Sequence, residues 1–83
     1  MKLDNRIKEL IAIGASIAAN CQPCLQYHVS KALENGVDEQ EIAEAVEMGK
    51  MVRKGAASKM DKLAFSLMHP VASTADEGCG CSS

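Results

Sequence analysis

Apolar residues recur at helical spacing near the start of the chain. After Asp4 they follow the i, i+3, i+4, i+7 pattern of a buried helical face. This stripe comprises Ile7, Leu10, Ile11, Gly14, Ile17 and Ala18. Asp4 can cap the helix at its N-terminus. Ile13 lies off the stripe. Because a helix that is apolar on more than one side packs against more than one neighbour, we expect the second neighbour to belong to another subunit.

Capping and turn residues define a second helix. Asn20 is a good N-cap, Pro23 is tolerated in a first helical turn, and Gly36 suits the left-handed residue that ends a helix. We therefore predict a helix from Asn20 to Asn35.

A third helix is predicted to begin at Asp38, which has capping-box spacing with Glu41. Its apolar face comprises Ile42, Val46, Gly49 and Val52. The pattern weakens around Gly55, so we expect a break or bend there. Helical spacing then resumes as far as His69, through Met60, Leu63, Ala64 and Leu67.

The last part of the sequence has a different character. From Val71 onward it consists largely of Ala, Ser, Thr, Gly and acids without periodicity, and no strand pattern appears anywhere in the chain. We predict an all-α fold, with a helical domain over residues 1–69 and a flexible cysteine-containing tail over residues 70–83.

Composition adds an expectation of self-association. A chain of 83 residues buries only about 60% of the surface that its unfolded form exposes. Much of its apolar content is alanine, and Tyr27 and Phe65 are its only aromatic residues. The core should therefore be thin, and a homo-oligomeric helical bundle would remedy this.

Charge and hydropathy argue against binding to nucleic acid and against a membrane-spanning segment. The net charge is −2, with basic residues interspersed among acids, which argues against nucleic-acid binding. Arg53 and Lys54 are expected to be solvated. No apolar stretch reaches the roughly 18 to 20 residues that a membrane-spanning helix requires. The apolar stretch 10–19 faintly resembles a signal peptide, but Asp4 and Glu9 interrupt the basic region. We expect a cytoplasmic protein that retains this stretch as a core helix.

Candidate chemistry lies at the start of the second helix. At 100° per residue, Cys21, Cys24 and His28 occupy one arc of about 60°. A helix N-terminus favours the thiolate form of a nearby cysteine. His28, one turn after Cys24, can accept the thiol proton and return it to a leaving group. Two cysteines three residues apart can also close a disulfide. The sequence thus predicts a self-contained thiol redox cycle.

Two other interpretations use the same residues. Cys21, Cys24 and His28 could be zinc ligands, completed by Cys79 and Cys81 or by another subunit, although three ligands on one helical turn give poor tetrahedral geometry. Alternatively, the cysteines could be buried free thiols and His28 a core residue.

A longer pattern contains these residues. Eleven residues separate Glu9 from Cys21, and three residues separate Cys24 from His28. This arrangement resembles the signature of the AhpD-like alkylhydroperoxidases of the carboxymuconolactone decarboxylase superfamily. The resemblance covers roughly residues 9–67.

The resemblance implies a helical domain, trimeric or hexameric assembly, and a proton relay in which Glu9 acts through His28 on the cysteines. Without it, Glu9 would be interpreted as a solvated charge beside Lys8. The chain departs from the family in having Pro23 where members often carry histidine, and one domain half where full-length enzymes have two. The decarboxylase branch lacks the cysteine pair, so we do not assign its reaction on a lactone acid.

The leading hypothesis is thiol-dependent alkyl hydroperoxide reduction without a bound cofactor, using an external dithiol reductant such as a thiol protein. Cys24 would attack the peroxide and Cys21 would close the disulfide. The helix dipole favours Cys21 as the attacking residue, whereas the adjacency of His28 and the resemblance favour Cys24.

Two alternative functions remain. A protein disulfide oxidoreductase or electron carrier is suggested by Pro23 within the cysteine pair. A metal-binding module is suggested by Cys79 and Cys81, whose thiols could hold a soft metal or act as a shuttle to the first pair.

Overall fold

The computed structural model describes residues 2–69 as three helices. They are α1 (Asn5–Ala18), α2 (Gln22–Glu34) and α3 (Glu39–Met68). No strand occurs within residues 2–69, so the all-α prediction is confirmed. In this part of the chain, no helix combines the length and apolarity needed to cross a bilayer. The predicted tail, residues 70–83 with Cys79 and Cys81, lies outside the described residues.

The ends of α1 follow local capping rules. Asp4 is the N-cap, as predicted, and its carboxylate accepts a hydrogen bond from the Ile7 amide at 3.0 Å. At the other end, the Asn20 amide donates to the Ile17 carbonyl oxygen at 3.1 Å, and the Cys21 amide donates to that of Ser16 at 3.0 Å. These two bonds form a Schellman motif, in which Asn20 takes the left-handed position with φ 56°.

This motif corrects the predicted start of α2. Asn20 is not the N-cap, because its left-handed backbone ends α1. Cys21 has the extended backbone of an N-cap, and the first helical residue is Gln22. The other end of α2 is as predicted: Asn35 is the C-cap, and Gly36, with φ 80°, is the left-handed residue after it.

The core is small and is centred on Ile13, Ala32 and Val37, all of them buried. Partly buried apolar residues surround this centre: Leu10, Leu25, Val29, Ile42, Ala45 and Val46. The predicted buried stripe of α1 was partly right, since Leu10 packs against this core and Gly14 and Ile17 lie close to Gly49 of α3. Ile13, which lay off the stripe, is fully buried, whereas Ile11 is 56% exposed and Ile7 is also exposed. Helical spacing predicts the period of an apolar stripe. When several sides of a helix are apolar, spacing alone does not tell which side is buried.

Ser16 also lies on the buried side of α1, although a polar residue at this position does not suggest burial from the sequence. Its hydroxyl donates to the carbonyl oxygen of Ala12 at 2.7 Å, so its polar group is satisfied without water.

The start of α3 confirms the predicted capping box. The Asp38 amide donates to the Glu41 carboxylate at 3.3 Å, and the Gln40 amide donates to the Asp38 carboxylate at 3.3 Å. The predicted break near Gly55 was wrong, because α3 continues to Met68. One interior glycine costs a helix only about 1 kcal/mol, which its neighbours can offset.

Contacts divide the chain into a unit ending at Arg53 and a second unit beginning at Lys54. The second unit, as far as it is described, is the C-terminal half of α3. Its larger apolar side chains are exposed: Met60, Leu63, Phe65, Leu67 and Met68. Phe65 stacks on His69, with ring centroids 4.2 Å apart. These exposed side chains are compatible with self-association, which stays a prediction.

Within the first unit, α1 and α3 approach closely at two glycines. A Cβ atom added to Gly49 would lie 2.7 Å from the Cβ atom of Ile17 and would also collide with the carbonyl oxygen of Gly14. Gly49 is thus needed because any side chain would push the two backbones apart.

We predict that Gly49→Ala lowers the free energy of unfolding by about 1–3 kcal/mol, the usual cost of overpacking. Gly55→Ala is the matched control, since its added Cβ meets nothing within 4 Å. It should raise stability by up to about 1 kcal/mol through helix propensity. Urea denaturation measures both. A Gly49→Ala variant as stable as the Gly55→Ala variant would contradict the close approach.

An ion pair joins α1 to the start of α3. The Arg6 guanidinium donates to the Glu41 carboxylate at 2.6 Å, and both side chains are about 40% exposed. The hydrogen bond from the Asp38 amide and the pairing with Arg6 lower the pKa of Glu41 below its ordinary value of 4.5. Both interactions favour the ionised carboxylate.

Because this pKa is lowered on folding, the stabilisation is complete above pH 4.5 and is lost as pH falls through the folded-state pKa. We predict that Glu41→Gln lowers the melting temperature at pH 7, and that the difference from the wild type shrinks progressively below pH 4.5. Glu39→Gln is the control, because Glu39 also lies in the first turn of α3. An equal effect of both substitutions would indicate a helix-dipole contribution rather than the ion pair.

Candidate active site

The cysteine pair occupies the N-terminal turn of α2. Cys21 is the N-cap and Cys24 is the third helical residue, with Pro23 between them. The two cysteines form a disulfide, and their Cα atoms are 5.3 Å apart. The helical turn itself therefore brings the two sulfur atoms together.

The two sulfur-bearing residues differ in accessibility. Cys24 is exposed, whereas Cys21 is only partly exposed. The first turn of α2 contains no acidic residue, and the N-cap makes no side-chain hydrogen bond. The positive end of the helix dipole is thus not offset locally, and after reduction it would favour thiolate over thiol.

Glu9 and His28 are hydrogen bonded to each other across the α1–α2 contact. Nδ1 of His28 lies 2.6 Å from Oε1 of Glu9, and the side chains are 29% and 19% exposed, respectively. Because a carboxylate accepts, Nδ1 carries the hydrogen of this bond. In the neutral imidazole, Nε2 is then left with its lone pair and can accept a proton.

His28 follows Cys24 by one helical turn, so the imidazole and Cys24 lie on the same face of α2. Of the four residues predicted from the sequence, the structure joins Glu9 to His28 by a hydrogen bond and Cys21 to Cys24 by a disulfide. Spacing alone identified the three on α2. Glu9 comes from another helix, nineteen residues before His28, and only the family resemblance pointed to it.

Sequence reasoning missed two contacts near this site. Tyr27 lies edge-on to the His28 ring, with centroids 5.0 Å apart, although its side chain is largely exposed. Arg53, expected to be solvated, donates from Nη1 to Oδ1 of Asn20 at 3.1 Å. The sequence carries no signal for this contact, because it joins residues 33 positions apart.

The structure bears on the two alternative interpretations of the cysteines, as metal ligands and as buried free thiols. Within residues 2–69, no group of three or more His, Cys, Asp or Glu residues is arranged to hold a metal ion. A metal site completed by Cys79 and Cys81 would involve residues outside this range. The interpretation as buried free thiols does not fit the described geometry, because Cys24 is exposed and bonded to Cys21.

Comparison with known proteins identifies a protein family that the chain matches. The sequence profile of the carboxymuconolactone decarboxylase family matches residues 1–65. The chain is also 36% identical over 55 residues to "Uncharacterized protein 4 in cox locus" of Paracoccus denitrificans, which covers 66% of the chain and 50% of that protein. The chain therefore spans about half the length of this relative. No solved structure matches the chain.

Proposed function

Because the chain belongs to the carboxymuconolactone decarboxylase family, we propose that it reduces alkyl hydroperoxides through a disulfide cycle of Cys21 and Cys24. One observation carries the proposal: the 2.6 Å hydrogen bond between Glu9 and His28, one turn from an exposed cysteine that is already bonded to a second cysteine. This arrangement supplies a base, a nucleophile and a resolving thiol. It needs no bound cofactor.

In the first step, the thiol proton of Cys24 passes to Nε2 of His28. The thiolate attacks the terminal oxygen of the peroxide, and the O–O bond breaks. The alkoxide leaves and takes the proton from His28, so that an alcohol is released. Cys24 is thereby oxidised to a sulfenic acid. Glu9 holds the imidazole through Nδ1 and stabilises the transient imidazolium.

In the second step, the Cys21 sulfur attacks the Cys24 sulfur. The S–O bond breaks, water leaves, and the disulfide forms. An external dithiol then reduces the disulfide by exchange and is itself oxidised. Exposure supports the assignment of Cys24 as the attacking residue, because a peroxide must reach it while Cys21 is partly covered.

A second candidate function uses the same residues without peroxide. Pro23 lies between the cysteines in the first turn of α2, and the disulfide includes the exposed Cys24. An external protein thiol could attack this sulfur directly. The chain would then act as a protein disulfide oxidoreductase or electron carrier.

We also propose a cytoplasmic homo-oligomer, of the trimeric or hexameric type that the family resemblance implies. The small core and the exposed apolar side chains of α1, which include Ile7 and Ile11, support self-association.

The first test is anaerobic titration of the reduced protein with cumene hydroperoxide. Cys79→Ser and Cys81→Ser are introduced so that only Cys21 and Cys24 are counted. We expect two thiols to be lost for each peroxide consumed. A further Cys21→Ser substitution should trap a sulfenic acid on Cys24, detected by mass spectrometry after dimedone labelling.

Three other outcomes would contradict the proposal in distinct ways. Sulfenic acid accumulating only in the Cys24→Ser variant would make Cys21 the attacking residue. Thiols that are inert to peroxide but reduce a protein disulfide would select the oxidoreductase. Inert thiols in a full-length protein that retains zinc would indicate a metal site.

A second test concerns the proton relay. We predict that Glu9→Gln, which keeps the size of the side chain but removes its charge, slows thiol oxidation by cumene hydroperoxide by about tenfold to a hundredfold, within the range of acid–base contributions. Glu47→Gln is the control, because Glu47 is exposed on α3 and its carboxylate pairs with Lys50 at 3.3 Å. Stopped-flow thiol oxidation measures both rates. Equal rates for the two variants would remove Glu9 from the relay.

A further inference from the structure

Residues 19–21 connect α1 to α2, and each end of this turn depends on Cys21. Its amide completes the Schellman motif of α1 through the Ser16 carbonyl oxygen, and its own carbonyl oxygen accepts the first helical bond of α2 from Leu25 at 3.0 Å. The backbone of this turn therefore fixes the position of Cys21 from which its side chain extends.

Arg53 binds the turn from α3. Its Nη1 donates to Oδ1 of Asn20 at 3.1 Å and lies 3.4 Å from the carbonyl oxygen of Ile17. Asn20 is the residue directly before Cys21, and its backbone is in the left-handed region. A partly buried guanidinium thus contacts both the left-handed residue and the last turn of α1.

This contact has an electrostatic consequence. Arginine stays protonated at all relevant pH values, so it provides a permanent positive charge beside the turn that carries Cys21. A nearby cation favours the thiolate of a cysteine, and the thiolate is the form that attacks another sulfur. Lys50, one turn earlier on α3, pairs with Glu47 instead.

We infer that Arg53 is a positioning residue for Cys21, holding the Asn20 turn and favouring the Cys21 thiolate. Its role in turnover rests on the proposed function. There, the Cys21 thiolate attacks the sulfur of the Cys24 sulfenic acid, the S–S bond forms and the S–O bond breaks. The departing hydroxide takes up a proton and leaves as water. Arg53 promotes this second step and not the attack on peroxide.

The inference is tested first without peroxide. The reduced full-length protein is alkylated with iodoacetamide between pH 5 and pH 10, and the rates at Cys21 and Cys24 are separated by mass spectrometry. In Arg53→Met, we expect the Cys21 profile to move to higher pH by about half a unit, which is about threefold in thiolate fraction at low pH. Arg53→Lys should recover part of the shift, and the Lys50→Met control should leave the profile unchanged.

Asn20→Gly provides a second variant that should fold, because glycine is the preferred residue at the left-handed position after a helix. It removes the Oδ1 acceptor and keeps Arg53, and we expect a Cys21 shift in the same direction. Circular dichroism verifies the helical content of each variant. A Cys21 profile that stays in place in both variants, or moves equally in the Lys50→Met control, would overturn the inference.

A peroxide experiment then separates this inference from the proposed function. After one equivalent of cumene hydroperoxide, the Cys24 sulfenic acid should persist about threefold longer in Arg53→Met, while the initial rate of peroxide consumption changes less than twofold. Equal slowing of both steps would overturn the role in the second step. If the wild type consumes no peroxide, the proposed function fails, while the alkylation profiles still decide whether Arg53 acts on Cys21.

Discussion

The hydrogen bond from the Cys21 amide to the Ser16 carbonyl oxygen is the constraint on which the site depends. It ends α1 and leaves Cys21 as the first capping residue of α2, so no spacer separates the two helices beyond the left-handed Asn20. With the turn between α1 and α2 fixed in this way, Glu9 on α1 and His28 on α2 can form a hydrogen bond of 2.6 Å. The same backbone bond that closes one helix therefore orients the chemistry at the start of the next.

The packing around this turn uses few large side chains. Three buried residues, Ile13, Ala32 and Val37, form the centre of the core. Small residues also contribute to the packing, since Gly14 and Gly49 let the backbones of α1 and α3 come into direct contact. Close backbone approach compensates for the scarcity of aromatic residues, because dispersion contacts depend on the number of atoms at optimal distance. It also brings Arg53 of α3 to the carbonyl end of α1.

Local rules predicted much of this from the sequence. Asp4, Gly36 and the pair Asp38 and Glu41 act where capping chemistry indicated, because caps depend on only a few adjacent residues. Properties that depend on other helices were harder to predict. Ile13 was placed off the buried side of α1, and Asn20, whose left-handed backbone ends α1, was predicted as the N-cap of α2. Glu9 required the family resemblance.

The cysteine pair is also a cross-link of unusually short span. The two residues are three positions apart within one helical turn, so the disulfide closes a loop of four residues. In the chain-entropy description, such a loop restricts the unfolded ensemble by only about 2 kcal/mol, against about 5 kcal/mol for a loop of a hundred residues. The helix already holds the two cysteines near each other when they are reduced. Opening or closing this disulfide would therefore change the surface of α2 while requiring little rearrangement of the fold.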